Sequence, residues 1–211
     1  MKKGFDTGVN LTRYASSLAK AGYNFVGRYY NTNNPAKNLT LQEAQVLSQA
    51  GLSIIAVWEN GFPIKTSYFN FNKGVQDASS AYSYALNKIQ QPLFSPIYFA
   101  VDYDPSTSDI NGSIKDYFKG IIEGFNGVSS NNPEYSIGVY GSGLVCASLL
   151  QANLVTYTWL AQAMGWKNSR TFKNYNIKQT GTFKECLEIN GGVTGDGNNS
   201  PNDNEGSFFI L

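Results

Sequence analysis

Pro96-Ile97-Tyr98-Phe99-Ala100-Val101-Asp102-Tyr103-Asp104 reads as an apolar strand that ends in two carboxylates spaced i, i+2. Side chains alternate faces along a strand, so Asp102 and Asp104 are expected to point the same way. The opposite face carries Ile97, Phe99, Val101 and Tyr103, all large and apolar. That face calls for a covering layer of helices. Helices outside and acids inside, at the C-terminal end of a strand, are what a (β/α) barrel places at its site.

Outward from this stretch, strand-like and helix-like segments alternate. Residues 4–6 form a short first strand. Residues 12–21 form a helix with Leu11, Tyr14, Leu18 and Ala21 at helical spacing, stopped by Gly22. Residues 23–30 read as a second strand, and an Asn-rich loop covers 31–38. Thr40 caps the next helix, Glu43 is its box partner, and Gly51 ends it. Residues 52–58 are an almost unbroken apolar run, as in a strand buried on both faces, and lead into Glu59-Asn60-Gly61. Helices at about 74–90, 109–125 and 144–151 alternate with strands at 96–104 and 136–142. Beyond residue 152 the rhythm changes. Strands are expected at 157–163, 176–180 and 207–211, with links too short or too rich in Gly and Asn for full helices. The expected fold class is α/β: an irregular TIM-like (β/α)5β3 barrel, a single domain over residues 1–211. An open doubly wound sheet is the alternative, but Gly4-Phe5-Asp6-Thr7-Gly8 is not the GxGxxG loop that fold uses.

Composition narrows the chemistry. The chain of 211 residues is 42% hydrophobic and only 15% charged, which is a globular balance. A net charge of +1 gives no electrostatic case for nucleic acid or anionic membranes. There is no histidine, which removes His-based triads and metal sites. Two cysteines, Cys146 and Cys186, are too few for a disulfide framework or a Cys-only zinc site, and whether they pair is open. No cofactor and no metal are expected, so the chemistry rests on Asp, Glu, Tyr, Asn, Lys or Ser. Asp196, between Gly195 and Gly197, lacks EF-hand spacing and reads as a flexible loop. No apolar run is long enough for a membrane span. Met1-Lys2-Lys3 looks like a signal n-region, but no apolar h-region follows. The expectation is synthesis in the cytoplasm without a cleaved signal.

Among only 15 acids, Asp6, Glu59 and the pair Asp102 and Asp104 fall at the ends of three strands. Hydrolysis of a glycoside needs one protonated acid and one ionised group. Neighbouring carboxylates repel, which raises one pKa and separates the roles. Asp104, Asp102, Glu59 and Asp6 are therefore the candidate catalytic residues. Tyr140, flanked on its face by Gly138 and Ser142, could donate a hydrogen bond with room for a substrate beside it. Aromatic content is 14%, and flat rings cover sugar faces as well as filling cores. Arg28 lies in a strand and could pair with an interior acid or position a substrate carboxylate.

Several motifs fall in order: Gly4-Phe5-Asp6, Tyr98-Phe99-Ala100-Val101-Asp102-Tyr103-Asp104, Gly138-Val139-Tyr140-Gly141-Ser142, Trp159-Leu160-Ala161-Gln162, Lys178-Gln179 and Asn202-Asp203-Asn204. Over nearly the whole chain they resemble the glycoside-hydrolase-like domain catalogued as domain of unknown function 1906. More distantly, they resemble the lysozymes of glycoside hydrolase family 25. The resemblance implies a (β/α)5β3 barrel and cleavage of the β-1,4 bond after N-acetylmuramic acid in peptidoglycan. It places Asp104 at the position of the proton donor, Asp102 beside it, and Asp6 as the first-strand acid. Substrate contacts fall to Tyr140, Trp58, Trp159, Gln179 and Arg28.

The chain also departs from that pattern. Asp104 stands where the lysozymes carry Glu, and a donor moved back by ~1 Å can cost ~10²-fold. Glu59 is then the alternative acid, with the Asp pair as base or stabiliser. Ala163 stands where an aromatic is expected, and Lys178 where Trp is common, which points to a remodelled sugar groove. Three readings follow: a muramidase, a non-catalytic glycan-binding barrel, or a hydrolase of another polysaccharide. The expected partner is a peptidoglycan glycan strand, with no nucleic acid and no membrane insertion. A phage lysis system or a secretion machine would bring a monomeric antibacterial protein to the periplasm or wall, and an immunity protein would be a further partner.

Overall fold

Eight strands hydrogen-bond in chain order and close on themselves. They are β1 (Lys2–Asp6), β2 (Phe25–Tyr30), β3 (Ser53–Trp58), β4 (Pro96–Ala100), β5 (Ser136–Gly141), β6 (Tyr157–Leu160), β7 (Ile177–Glu185) and β8 (Val193–Ser200). The coordinates are a computed structural model and describe residues 1–130, 134–185, 192–201 and 203–210. From β1 to β7 every pairing is parallel. β8 runs antiparallel to both β7 and β1 and closes the barrel. The connections carry α1 (Ala15–Lys20), α2 (Leu41–Gln49), α3 (Phe71–Tyr84), the single turn α4 (Thr107–Asp109), α5 (Lys115–Val128) and α6 (Gly143–Gln151). The first five strands are each followed by helix and, among the described residues, the last three are not, which is the (β/α)5β3 order.

Alternation along the strands sorts side chains into two shells. Val26, Ile54, Ala56, Ile97 and Phe99 join the core under the helices. Phe25, Ile55, Val57, Tyr98, Trp159 and Ile177 fill the barrel interior. Polar side chains start the helices by accepting from the backbone: Thr40 from Glu43 N, Asn70 from Lys73 N and Ser142 from Val145 N. The capping box expected at Thr40 is only half formed. The Glu43 carboxylate turns away from Thr40, takes Arg28 Nε at 2.8 Å and accepts from Leu11 N at 2.8 Å. α3 and α5 cross in backbone contact. A Cβ on Gly74 would lie 2.0 Å from the Tyr117 carbonyl oxygen, and one on Gly120 would lie 2.1 Å from that of Phe71.

Three expected elements are corrected. The fourth strand stops at Ala100, because the Asp102 N–H leaves the sheet and donates to the Pro63 carbonyl at 2.9 Å. The closing strand is Val193–Ser200, which lacks an alternating apolar pattern and is held by main-chain pairing on both edges. Asp196 therefore lies in a strand and not in a flexible loop. Of the strand expected at 207–211, the described residues 207–210 add only a bridge, in which Phe208 and Ile54 exchange backbone hydrogen bonds, and Leu211 lies outside the described residues. Cys146 is buried and free, and burial pushes its thiol up. Cys186 and Asn202 lie outside the described residues. Among the described residues, no helix is long and apolar enough to cross a membrane.

Candidate active site

A cavity of about 340 Å³ lies at the C-terminal ends of the strands, with Asp6, Glu59, Asp102 and Asp196 in its wall. Asp6 ends β1 and is almost fully buried, at 4% exposure. Three donors meet its carboxylate. Tyr29 Oη reaches Oδ2 at 3.0 Å, while Gln179 Nε2 and Asn198 Nδ2 reach Oδ1 at 3.1 and 2.7 Å. Their neighbours fix both amides. The Trp159 indole can only donate, and it holds Asn198 Oδ1 at 2.8 Å, leaving that amide nitrogen for Asp6. Tyr140 Oη and the Gln162 N–H both donate to Gln179 Oε1, with the same result. Burial raises Asp6 to about 6, against the pull of these donors, and the Asp196 charge adds to the rise.

Glu59 follows β3 and faces the same cavity. Its carboxyl has no hydrogen-bond partner among the described residues. Burial lifts it to about 7, helped by the charges of Asp102 and Asp6 and opposed by Lys37. Asp102 is half-buried and also lifted, first by burial and then by Asp196. Burial raises the Tyr29 and Tyr140 hydroxyls far above their ordinary value, so both remain protonated donors. The cavity thus holds a carboxyl poised to be protonated near neutrality, beside Asp6, which is lifted less far.

The structure brings Asp6, Glu59, Asp102, Tyr140, Trp159 and Gln179 together around this space. Asp104 is not among the lining residues. Once the strand has ended, side-chain alternation no longer holds, and Asp104 takes the Lys167 N–H at 3.0 Å and its ammonium at 2.9 Å. Trp58 is also displaced from the expected groove. Ile55 and Val57 face inward, so Trp58 packs under the helices, where its indole N–H has no partner among the described residues. Arg28 faces outward for the same reason. It grips Glu43 of α2 and the Thr7 carbonyl, and takes the ion-pair alternative over substrate contact. Tyr29, Gln162, Asp196 and Asn198 were not expected at the site. Tyr29 shares a strand face with Phe25 and Gly27, so strict alternation could have marked it. Asp196 and Asn198 sit among glycines, where no apolar pattern gives the strand away.

Residues 16–194 match the family described as Rv2525c-like, glycoside hydrolase-like domain. The chain belongs to that family. Among its relatives, the uncharacterized protein FadG of Bacillus subtilis (strain 168) is 35% identical over 144 residues, covering 66% of this chain and 24% of FadG. This Rv2525c-like domain therefore matches about a quarter of that relative's length. The Tat-secreted protein Rv2525c of Mycobacterium tuberculosis, solved with L-tartrate, superposes with a TM-score of 0.74 at 22% identity, over 98% of this chain and 97% of that one. The catalytic domain of endolysin ply40, from bacteriophage P40 of Listeria monocytogenes, gives 0.57 at 16% identity over 96% and 94%. At these identities the two structures establish a shared fold. The Rv2525c-like barrel is glycoside-hydrolase-like and structurally similar to cell-wall lytic enzymes.

Proposed function

We propose that this domain hydrolyses the β-1,4 glycosidic bonds of bacterial peptidoglycan as a muramidase. The observation that carries the reading is Glu59, lifted to about 7 beside Asp6 and Asp102 in one cavity at the barrel mouth. Glu59 donates its proton to the glycosidic oxygen as the bond to the anomeric carbon breaks. Asp102 stabilises the positive charge that develops there and takes the proton of the incoming water. The Tyr140 hydroxyl, whose proton goes to Gln179, accepts a hydrogen bond from the substrate, and Trp159 walls the ring site. Asp6 is held by its three donors as the fixed negative charge behind the reacting carbon. The endolysin catalytic domain, of the same fold, supports a wall substrate. The Tat-secreted relative supports action outside the cytoplasm, after export or lysis.

The test is digestion of purified sacculi, with the products reduced and read by mass spectrometry. Wild type should release reduced muramic acid ends, and Glu59→Gln should lose at least ~10²-fold, the usual worth of a general acid. Asp102→Asn should lose a comparable amount. If wild type and Glu59→Gln both pellet with sacculi and neither releases soluble product, the domain is a glycan-binding barrel and the enzyme reading falls.

A further inference from the structure

β7 and β8 lose register beside the cavity. Gln179 pairs with Asn198 and Gly181 with Gly197, which leaves Thr180 as the extra residue of a bulge. Gly181 has φ +125°, and nothing lies within 4 Å of where its Cβ would be. Bulges bend a strand and re-aim its side chains, and they gather at barrel rims next to active sites. Here the bulge borders a second cavity of about 250 Å³, lined by Gln162, Met164, Lys178, Gln179, Thr180 and Gly181. Gln162 and Gln179 belong to both walls, so the two cavities are neighbours. Gln162 Nε2 also donates to Asp196 Oδ1 at 3.2 Å, which puts the edge of the acidic wall at the junction.

Lys178 is half-buried, yet its ammonium has no hydrogen bond or ion pair among the described residues. A cation lining a cavity without a counter-charge favours an anion there. The main cavity, with its four acids, disfavours one. A glycan that presents a neutral ring to the acids and an acidic substituent to the neighbouring space satisfies both.

We propose that this side cavity is a subsite for the acidic substituent of the sugar next to the scissile bond, with Lys178 as its counter-charge. The proposal rests on the peptidoglycan reading above. The carboxylate comes from the lactyl group of a peptide-free N-acetylmuramic acid residue or from a stem peptide. Gln162 and Thr180 offer hydrogen bonds beside it, and Met164 an apolar surface.

Equilibrium titration of the Glu59→Gln variant tests this. The ligands are a peptide-free tetrasaccharide of alternating N-acetylglucosamine and N-acetylmuramic acid, its peptide-bearing form, and the neutral chitotetraose. An acidic ligand should bind about fivefold tighter than chitotetraose, the upper worth of a solvent-screened ion pair. Adding Lys178→Met should erase the preference, and Lys178→Arg should keep it. Preference for the peptide-free fragment assigns the lactyl carboxylate, and preference only for the peptide-bearing one assigns the stem. A preference that survives Lys178→Met overturns the subsite, as does binding of no fragment at all. Sacculus digestion by the protein with its native Glu59 separates the two ideas. Lys178-dependent binding without hydrolysis sinks the muramidase and leaves the subsite standing. Hydrolysis with Lys178-independent binding does the reverse.

Discussion

Burial and two neighbouring carboxylates outweigh Lys37 and lift Glu59 from its ordinary 4.5 to about 7. The sign of the consequence is fixed. In the unfolded chain Glu59 gives up its proton near 4.5, while in the folded chain it keeps it to about 7. The stability it contributes is fully present below about pH 4.5 and is lost as pH rises through about 7, by about 3 kcal/mol at most. Glu59→Gln should therefore melt near wild type at pH 4 and above it at pH 8, and an equal gap at both pH values would contradict the assignment. Turnover should follow the same group and fall as pH rises through about 7, since a general acid must carry its proton. Asp104 behaves differently. It holds the Lys167 N–H and ammonium and does not line the cavity, so Asp104→Asn should keep sacculus hydrolysis within about tenfold of wild type. The sequence marks both residues as acids at strand ends. Only their surroundings, which depend on where the chain leaves the sheet, separate the proposed proton donor from the loop anchor.

At the scale of elements, apolar runs were legible and polar closures were not. β3 and β4 carry continuous hydrophobic stretches buried on both faces, so their presence follows directly from residue type. The end of β4 does not, because the alternation from Ile97 continues to Tyr103 although the sheet pairing stops at Ala100. What ends it is a single bond from the Asp102 N–H to Pro63, thirty-nine residues away in a loop with no pattern of its own. β8 is the extreme case. Val193-Thr194-Gly195-Asp196-Gly197-Asn198-Asn199-Ser200 forms a strand because two edges wait for its backbone, and its polar side chains then become part of the site. The helix layer makes a sharper claim. Gly74 and Gly120 let α3 and α5 meet backbone to backbone, so Gly120→Ala must push the helices apart or break their contact. Helix propensity alone would favour alanine by about 1 kcal/mol. Overpacking should outweigh it, for a net loss of about 2 kcal/mol in urea unfolding, and a stabilised variant would refute the close crossing.

The molecule as a whole separates a packed outer shell from an acid-lined interior. Barrel architecture could be read from the count of strand–helix units and the loss of helices after residue 152, since these depend on local pattern. The partition of charge could not, because one residue of register decides whether a strand side chain meets helix or cavity. Arg28 and Tyr29 are adjacent in sequence and fall on opposite sides of the wall. Tyr29 holds Asp6 inside, while Arg28 is 0% exposed outside, paired through Nε and Nη2 with Glu43 at 2.8 and 3.1 Å. A buried pair of this kind stabilises little against a well-packed apolar replacement, yet breaking it strands a charge. Arg28→Met should therefore cost about 3–5 kcal/mol in denaturant unfolding, and Arg28→Met with Glu43→Leu should recover most of that loss. Activity should not follow stability. Asp6 keeps its donors from Tyr29, Gln179 and Asn198 in both variants, so hydrolysis per folded molecule, measured well below the melting temperature, should stay within about threefold of wild type. A double variant that regains stability but not activity would mean that the Arg28 bond to the Thr7 carbonyl, one residue from Asp6, sets the position of that carboxylate, and the two shells would then be coupled through β1.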